Sequence, residues 1–243
     1  MPLFAIVTLV IEQHSNFRVK ENLIESNKVV FIFTAFGTKM DIYRPFIKAL
    51  QKRGYSSIIY DYPVSIVQDA QLSEWHRFYD VVLADVRARL KKLHESGYEH
   101  FSAHGSSMGT LLASLMGRKC PEVTHTVLNL PYGDLAHSIY TVKPARVAKE
   151  RLVKQGITQQ MFSETFEYID PLKTAHEFKN KKVLLFISKK DDVLDYEDTK
   201  RTKTALKQAG ANLTYYENTL LGHHLSGTRN ILSLRRLIGF LES

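Results

Sequence analysis

The fold of this chain is decided by the stretch Glu99-His-Phe-Ser-Ala-His-Gly-Ser-Ser-Met-Gly-Thr-Leu-Leu-Ala-Ser-Leu-Met116. Residues 99–104 are predicted to form a strand and residues 110–116 a helix. The turn between them, Gly105–Gly109, matches the G-x-S-x-G pattern of a nucleophile elbow, which exposes a serine on a sharp strand-to-helix turn. Side chains two positions either side of that serine would collide, so glycine occupies both positions. The pattern therefore predicts an exposed, nucleophilic Ser107.

Strands and helices alternate along the rest of the chain. Short apolar runs that end at a turn are typical of buried strands, and apolar residues every three or four positions are typical of amphipathic helices. Strands are predicted at residues 28–34, 55–60, 125–130, 182–188 and 213–216, and helices at residues 41–53 (with Asp41 as N-cap), 75–93, 196–208 and 231–241. This alternation predicts an α/β fold with a mostly parallel, doubly wound sheet.

Two segments depart from this alternation. Residues 3–11 and 17–24 flank a polar turn and are predicted to form an antiparallel hairpin at the sheet edge. Residues 131–178 separate two strands by far more than the usual short connection. They are predicted to form a small helical cap over the C-terminal edge of the sheet, the alternative being a long crossover beside the domain. Residues 1–243 are thus predicted to be a single domain with one cap insertion.

The composition limits the class of protein. The chain has 243 residues, of which 44% are hydrophobic and 24% charged, as in ordinary globular proteins. No apolar run approaches the roughly 18 residues that a membrane-spanning helix needs. The single cysteine, Cys120, excludes an intramolecular disulfide and a cysteine-based metal cage, and it is expected to be a small buried residue. It also favours a reducing compartment, so a cytoplasmic location is predicted.

The net charge of +8 allows two interpretations. The basic residues are spread over groups at residues 143–154, 179–182 and 200–207, each on a predicted helix face or turn, which favours solvated faces. No zinc-finger, KH or RRM signature is present, so no specific nucleic-acid partner is predicted. The alternative is a non-enzymatic protein that binds nucleic acid or a membrane surface through its basic residues.

A serine nucleophile needs two partners. Its hydroxyl is activated by a histidine base, which a carboxylate orients. Downstream of Ser107, residues 188–192 and 220–224 each follow the C-terminal end of a predicted strand, where open parallel sheets build their sites. The order serine, acid, histidine fits this kind of sheet. The residues alone leave open Asp191, Asp192 or Asp195 as the acid, with Asp134 after an earlier strand as a further alternative, and His223 or His224 as the base.

With these motifs the chain resembles the α/β-hydrolase superfamily over about residues 25–243. In that superfamily the acid lies three residues after a small residue that closes its strand, and Ser188 takes that place here. The resemblance therefore points to Asp191. The superfamily's histidine directly follows a glycine, as His223 follows Gly222. Glycine would also give the backbone freedom to turn the imidazole into the cleft.

The resemblance also implies an oxyanion hole. The superfamily uses the backbone N–H after the nucleophile and a second N–H from the loop after an early strand. By position these are Met108 and Phe36. The superfamily commonly has His-Gly before the second donor, whereas this chain has Thr34-Ala35.

The function that the resemblance implies is that of a serine esterase, lipase or thioesterase. Ser107 would form an acyl-enzyme with a small-molecule acyl ester or thioester, with His223 as base and Asp191 as its partner. The aromatic residues of the insertion favour an apolar acyl group. A serine nucleophile argues against epoxide hydrolases and haloalkane dehalogenases, which use aspartate. The alternatives are an acyltransferase and a catalytically silent protein of the same fold that binds a ligand or partner.

No cofactor or metal is predicted. The histidines outside the Gly-His motif are scattered without metal-ligand spacing. His104, next to the elbow, is expected to pack or hydrogen-bond, because it would point off the end of its own strand. The glycines form neither a phosphate-binding loop nor a dinucleotide-binding fingerprint.

Overall fold

The computed structural model describes residues 8–13, 17–35, 37–62 and 71–243. Within these residues, eight strands form one sheet in the order β1-β2-β4-β3-β5-β6-β7-β8. The strands are β1 Thr8–Gln13, β2 Arg18–Leu23, β3 Lys28–Phe33, β4 Tyr55–Asp61, β5 His100–Ser106, β6 Val123–Asn129, β7 Lys182–Ser188 and β8 Asn212–Asn218.

The sheet is parallel from β4 to β8 and antiparallel at its N-terminal edge. β1 pairs antiparallel with β2, with Gln13 opposite Arg18, and β2 pairs antiparallel with β4. The predicted α/β class and the antiparallel hairpin are therefore confirmed. The beginning of the first predicted strand, residues 3–7, and part of its turn, residues 14–16, lie outside the described residues.

Helices cover both faces of the sheet. Among the described residues the α-helices are α1 Arg44–Lys52, α2 Leu72–Glu95, α3 Gly109–Lys119, α4 Leu135–Thr141, α5 Arg146–Lys154, α6 Gln159–Thr165, α7 Tyr196–Gln208, α8 His223–Leu232 and α9 Leu234–Leu241. None of the helices in the described part of the chain is long and apolar enough to cross a membrane.

The alternation of side chains along β3 shows why the central strands are apolar throughout. Phe31 and Phe33 belong to the core under α2 and α3, whereas Val30 and Ile32 belong to the core under α1 and α9. Successive side chains of a strand point to opposite faces. Helices cover both faces of the sheet, so neither set of alternate side chains faces water. The strand is therefore a continuous apolar run.

Two predicted helix ends differ in the structure. Asp41 does not cap α1, because a 3-10 turn (Met40–Tyr43) comes first and α1 begins at Arg44 with a proline in its first turn. Proline has its φ already set for this position, and Asp41 instead contacts the Arg44 side chain at 3.0 Å. The predicted closing helix is two helices, interrupted at Ser233, whose ψ of 58° is not helical.

Residues 131–178 lie between β6 and β7 and contain α4, α5 and α6. Aromatic rings anchor this insertion on the sheet-covering helix α2. Phe162 lies 5.7 Å from Trp75 and 4.6 Å from Phe166, between ring centroids, and all three side chains are buried. Contacts of this kind hold the insertion by apolar burial and edge-on ring packing.

Candidate active site

Ser107 occupies the sharp turn between β5 and α3. Its φ of 50° lies in the left-handed region, which costs a non-glycine residue about 1–3 kcal/mol. The flanking glycines make the turn possible. A Cβ on Gly105 would lie 2.4 Å from a backbone oxygen of α3, and one on Gly109 would lie 2.3 Å from the Phe33 carbonyl oxygen. Both glycines are therefore required for close approach of the backbone.

The structure brings Ser107, His223 and Asp191 together. His223 Nε2 lies 3.0 Å from Ser107 Oγ. On the other side of the ring, Nδ1 lies 2.8 Å from Asp191 Oδ2 and 3.0 Å from Oδ1. With Nδ1–H donating to the carboxylate, Nε2 is left to accept the serine proton. The His223 and Asp191 side chains are only 6% and 3% exposed, so little water competes for these contacts.

The two neighbouring aspartates have different roles. Asp191 Oδ1 accepts the N–H groups of Val193 and Leu194 at 2.9 and 2.8 Å, which hold its carboxylate towards the His223 ring. Asp192 Oδ1 accepts the backbone N–H of His223 at 2.8 Å. That N–H bond is the main cause that lowers the pKa of Asp192. Asp192 therefore anchors the start of α8, while Asp191 contacts the imidazole.

Gly222 brings the backbone close to the Asp192 side chain, and its backbone angles do not require glycine. Its φ of −69° is open to any residue, so the expected backbone freedom is not used. A Cβ at this position would lie 2.9 Å from Asp192 Oδ1. A side chain would therefore displace the carboxylate that holds the His223 amide.

The other candidate side chains lie elsewhere. His224 is exposed, with its ring edge-on to His223 at 5.5 Å, and it lines the cleft. Asp195 caps α7 and Asp134 caps α4, each accepting a backbone N–H of its own helix. Cys120 is buried at the end of α3, and burial raises the pKa of its thiol.

One of the two expected oxyanion donors falls within the described residues. Met108 directly precedes α3. The first N–H groups of a helix have no acceptor within the helix, so the Met108 N–H is open to an oxyanion. The same helix start carries the positive end of the helix dipole. The other expected donor, Phe36, lies outside the described residues.

Asn129, which the sequence analysis did not single out, connects the nucleophile to the helix of the base. Its backbone oxygen accepts the Ser107 N–H at 2.9 Å. Its side-chain Nδ2 donates to Ser106 Oγ and to the Gly227 carbonyl of α8, both at 3.1 Å, and its Oδ1 accepts from Asn230 at 2.9 Å. The side chain is buried. The sequence signal that could have identified Asn129 is an amide residue directly after the apolar pair Val127-Leu128.

We expect Asn129→Ala to lower kcat by about 10- to 100-fold, because small misplacements of reacting groups have effects of that size. The free energy of unfolding should also fall by about 1–3 kcal/mol, since Ser106 and Gly227 lose a partner. Thr202→Ala is the control, because it removes a buried hydrogen bond within α7. Kinetics and urea unfolding of both variants check this. Equal kcat in the two variants would contradict the link to catalysis.

His104 packs in the core beneath the elbow. Its ring centroid lies 5.3 Å from that of Phe46 and 6.0 Å from that of Tyr43. Burial lowers its pKa to about 4. The side chain is therefore neutral at pH 7, as expected of a packing residue.

This burial predicts a loss of stability in acid. The unfolded chain binds a proton at His104 near pH 6.5, whereas the folded chain does so only near pH 4. The full contribution is therefore present above pH 6.5, and about 3 kcal/mol is lost as the pH falls to about 4. His104→Met, neutral and of similar size, should reduce the pH dependence of the free energy of unfolding by about that amount. Urea unfolding at pH 7 and pH 4.5 measures it, and identical pH dependence in both proteins would refute it.

A cleft of about 420 Å³ opens above Ser107. Its lining side chains are mostly apolar, with a few neutral polar groups, and none of the described ones is Asp, Glu, Lys or Arg. Apart from Ser107 and His223 they include Thr38, Ile42, Tyr43, Asn129, Leu130, Tyr132, Ala145, Val147, Ala148, Val193, His224, Thr228 and Ile231. The insertion between β6 and β7 supplies four of these, at positions 132, 145, 147 and 148.

A second cluster of titratable groups lies outside the cleft. His137, Asp195 and Asp198 offer ligand atoms within 4.8 Å of one another. The Asp198 carboxylate is already occupied, at 2.5 Å by His137 Nδ1 and at 3.0 Å by Arg201, and Asp195 caps α7. The cluster therefore already has partners within the protein. The absence of a metal cofactor stays a prediction.

The sheet order, the helices on both faces and a serine at the C-terminal end of β5 define the class: this is an α/β-hydrolase superfamily serine hydrolase. Residues 47–243 match the prolyl oligopeptidase family, and the chain belongs to that family. No curated protein matches it at a significant level.

Solved structures share the fold. An esterase of Pyrococcus furiosus is 20% identical, with a TM-score of 0.68 and coverage of 98% of this chain and 91% of that one. A thermostable carboxyl esterase of Bacillus coagulans is 13% identical, with a TM-score of 0.64 and coverage of 96% and 98%. The acylaminoacyl peptidase of Pyrococcus horikoshii is 12% identical, with a TM-score of 0.72, and the chain covers 42% of it.

Proposed function

We propose that the protein hydrolyses carboxylic esters or thioesters through an acyl-enzyme on Ser107. The observation that carries this proposal is the continuous contact from Ser107 Oγ through the His223 ring to the Asp191 carboxylate, at 3.0 and 2.8 Å. A serine hydroxyl with an imidazole on one side and a buried carboxylate behind that imidazole is set up for proton removal.

The proposed reaction has two halves. Ser107 Oγ attacks the acyl carbonyl while its proton moves to His223 Nε2, and Asp191 stabilises the imidazolium that forms. The Met108 N–H stabilises the oxyanion, and His223 then protonates the leaving alcohol or thiol. Water enters, gives its proton to His223, and attacks the acyl-enzyme. The released Ser107 recovers the proton from the imidazole.

The cleft supports an uncharged acyl group as substrate. Its described walls carry no charged side chain, and burying an unpaired charge there would cost several kcal/mol. Residues 131–178 form one wall, and we propose that they act as a cap that selects the acyl group. The buried Cys120 supports a reducing compartment, and we place the protein in the cytoplasm.

A peptidase is the second candidate, because the chain belongs to the prolyl oligopeptidase family. The two candidates share the nucleophile and differ in the leaving group. An amine leaves less readily than an alcohol or thiol and needs protonation by His223 before the bond breaks. Activity against peptides would therefore require the same residues but a cleft that accepts a chain on both sides of the scissile bond.

Two measurements test the proposal. A fluorophosphonate probe should label the wild type and fail to label Ser107→Ala. A panel of nitrophenyl esters, acyl thioesters and aminoacyl nitroanilides, with graded acyl chains, then compares kcat/KM by leaving group. Higher values for esters or thioesters support the proposal, and higher values for nitroanilides favour the peptidase. No labelling and no turnover would leave a ligand-binding protein as the function.

A further inference from the structure

The wall of the cleft that α5 provides is strongly basic on its solvent side. Residues 143–154 contain five Lys or Arg residues and one acid, Glu150. Ala148 and Leu152 face the core, and the basic residues of the segment are exposed. Arg146 contacts Glu150 at 3.6 Å. The segment, which is α5 and the turn before it, therefore carries about half of the formal net charge of +8.

Three of the four basic groups on α7 behave differently. Lys200, Arg201 and Lys203 each lie within 3.0–3.6 Å of a carboxylate of α7 or β8. For Lys143, Lys149 and Lys154 no ion pair with a carboxylate is found among the described residues. Within the described residues these three lysines thus carry positive charge without a carboxylate partner, and they belong to the same segment as Ala145, Val147 and Ala148, which line the cleft.

Exposed aliphatic side chains line the cleft or lie within three residues of side chains that line it. Ile42 and Val147 line the cleft yet are 38% and 46% exposed. Leu225, 67% exposed, follows His224 on α8, and Leu220, 74% exposed, precedes the Gly-His pair. We call these four aliphatic side chains, together with Lys143, Lys149 and Lys154, the rim. Exposed apolar patches mark interaction sites.

We propose that this rim docks onto a lipid membrane with anionic headgroups and that the cleft takes an acyl lipid from that membrane. The uptake of the lipid rests on the proposed function. Cations near such a surface contribute about 1 kcal/mol each, and aliphatic side chains beside them enter the acyl boundary. The rim has both, next to a cleft whose described walls carry no charged side chain. A nucleic acid offers phosphates but nothing for the aliphatic groups, so lipid is the partner that fits both features.

The test is co-sedimentation with phosphatidylcholine vesicles, with and without phosphatidylglycerol. It uses the Ser107→Ala protein, so that hydrolysis does not alter the vesicles. The rim variant is Lys143→Glu/Lys149→Glu/Lys154→Glu. The control is Lys52→Glu/Lys91→Glu/Lys92→Glu, which makes the same charge change at the helix ends that precede β4 and β5, away from the cleft. Leu225→Ser tests the aliphatic part.

We expect binding to vesicles with phosphatidylglycerol at least about tenfold tighter than to phosphatidylcholine alone. The rim variant should lose most of this gain, the control should keep it, and Leu225→Ser should weaken binding even at high salt. Equal loss in the rim variant and the control would overturn the proposal, because net charge alone would then explain binding. Binding to polyglutamate or RNA that matches the vesicles would also overturn it.

Activity separates this inference from the proposed function. In proteins with Ser107 intact, the rim variant should hydrolyse a short water-soluble ester as fast as the wild type, which also shows that it is folded. Hydrolysis of a long-chain ester in anionic vesicles should fall at least about fivefold. If vesicle binding behaves as expected but no ester is cleaved, the docking surface stands and the proposed function fails. If esters are cleaved but vesicles do not bind, the reverse holds.

Discussion

Ser107→Ala is expected to lower kcat for an activated ester by about 10⁶-fold, the size of effect found when a triad nucleophile is removed. The change deletes one oxygen that lies 3.0 Å from the imidazole and leaves the strained turn in place. Stability should hold or rise slightly, because the flanking glycines and the Asn129 carbonyl still define the turn. Single-turnover kinetics with a nitrophenyl ester measure the effect.

Ser106→Ala provides a control one residue away. Ser106 is buried and accepts from Asn129, so its loss removes a hydrogen bond but no nucleophile. We expect it to keep at least about a tenth of wild-type kcat. If Ser107→Ala keeps that much activity, or if the two variants are equally impaired, Ser107 is not the nucleophile.

His223→Ala should approach the loss of Ser107→Ala, while His224→Ala should cost about tenfold or less. His223 contacts both Ser107 Oγ and the Asp191 carboxylate, whereas His224 is exposed and reaches only the rim of the cleft. Without His223 the serine proton has no acceptor, and the buried Asp191 carboxylate loses the ring N–H that it accepts. The measurement is kcat for each single variant with one ester.

The double variant Ser107→Ala/His223→Ala should be barely slower than either single variant, because a nucleophile and its base act as a unit. Multiplied losses would mean that the two residues act independently. An inactive His224→Ala with an active His223→Ala would move the base by one residue. Retained activity in both single variants would exclude this loop as the source of the base.

Much of the fold could be predicted because its signals are local. Burial of both faces makes β7 a continuous apolar run, and burial of one face gives α2 its periodicity. Both patterns can be recognised in a short stretch of sequence. The backbone approaches closely on both sides of Ser107, which requires Gly105 and Gly109. The two glycines therefore allow the turn to be predicted from the sequence. The element order follows from these signals, together with the class of the fold.

The start of α1 and the contacts of residues 131–178 could not be predicted from the sequence. Asp41 has the side chain of an N-cap, yet the preceding 3-10 turn and a proline moved the start of α1 to Arg44. Within residues 131–178 the aromatic residues indicated burial but not the partner. The contact of Phe162 with Trp75 joins elements far apart in the chain, and nothing near either residue records it.

Local sequence patterns specify the alternation of strands and helices, the serine on its turn and two loops that hold candidates for the acid and the base. Which side chains meet depends on tertiary packing. Ser107 and His223 are 116 positions apart, and Asp191 and His223 are 32 apart, so their contacts depend on how strand ends converge. The same convergence brings Asp192 to the His223 N–H and Asn129 to the Gly227 carbonyl, and it places Asp192 close to Gly222. Local periodicity reports burial, but distances across the sheet come only from packing.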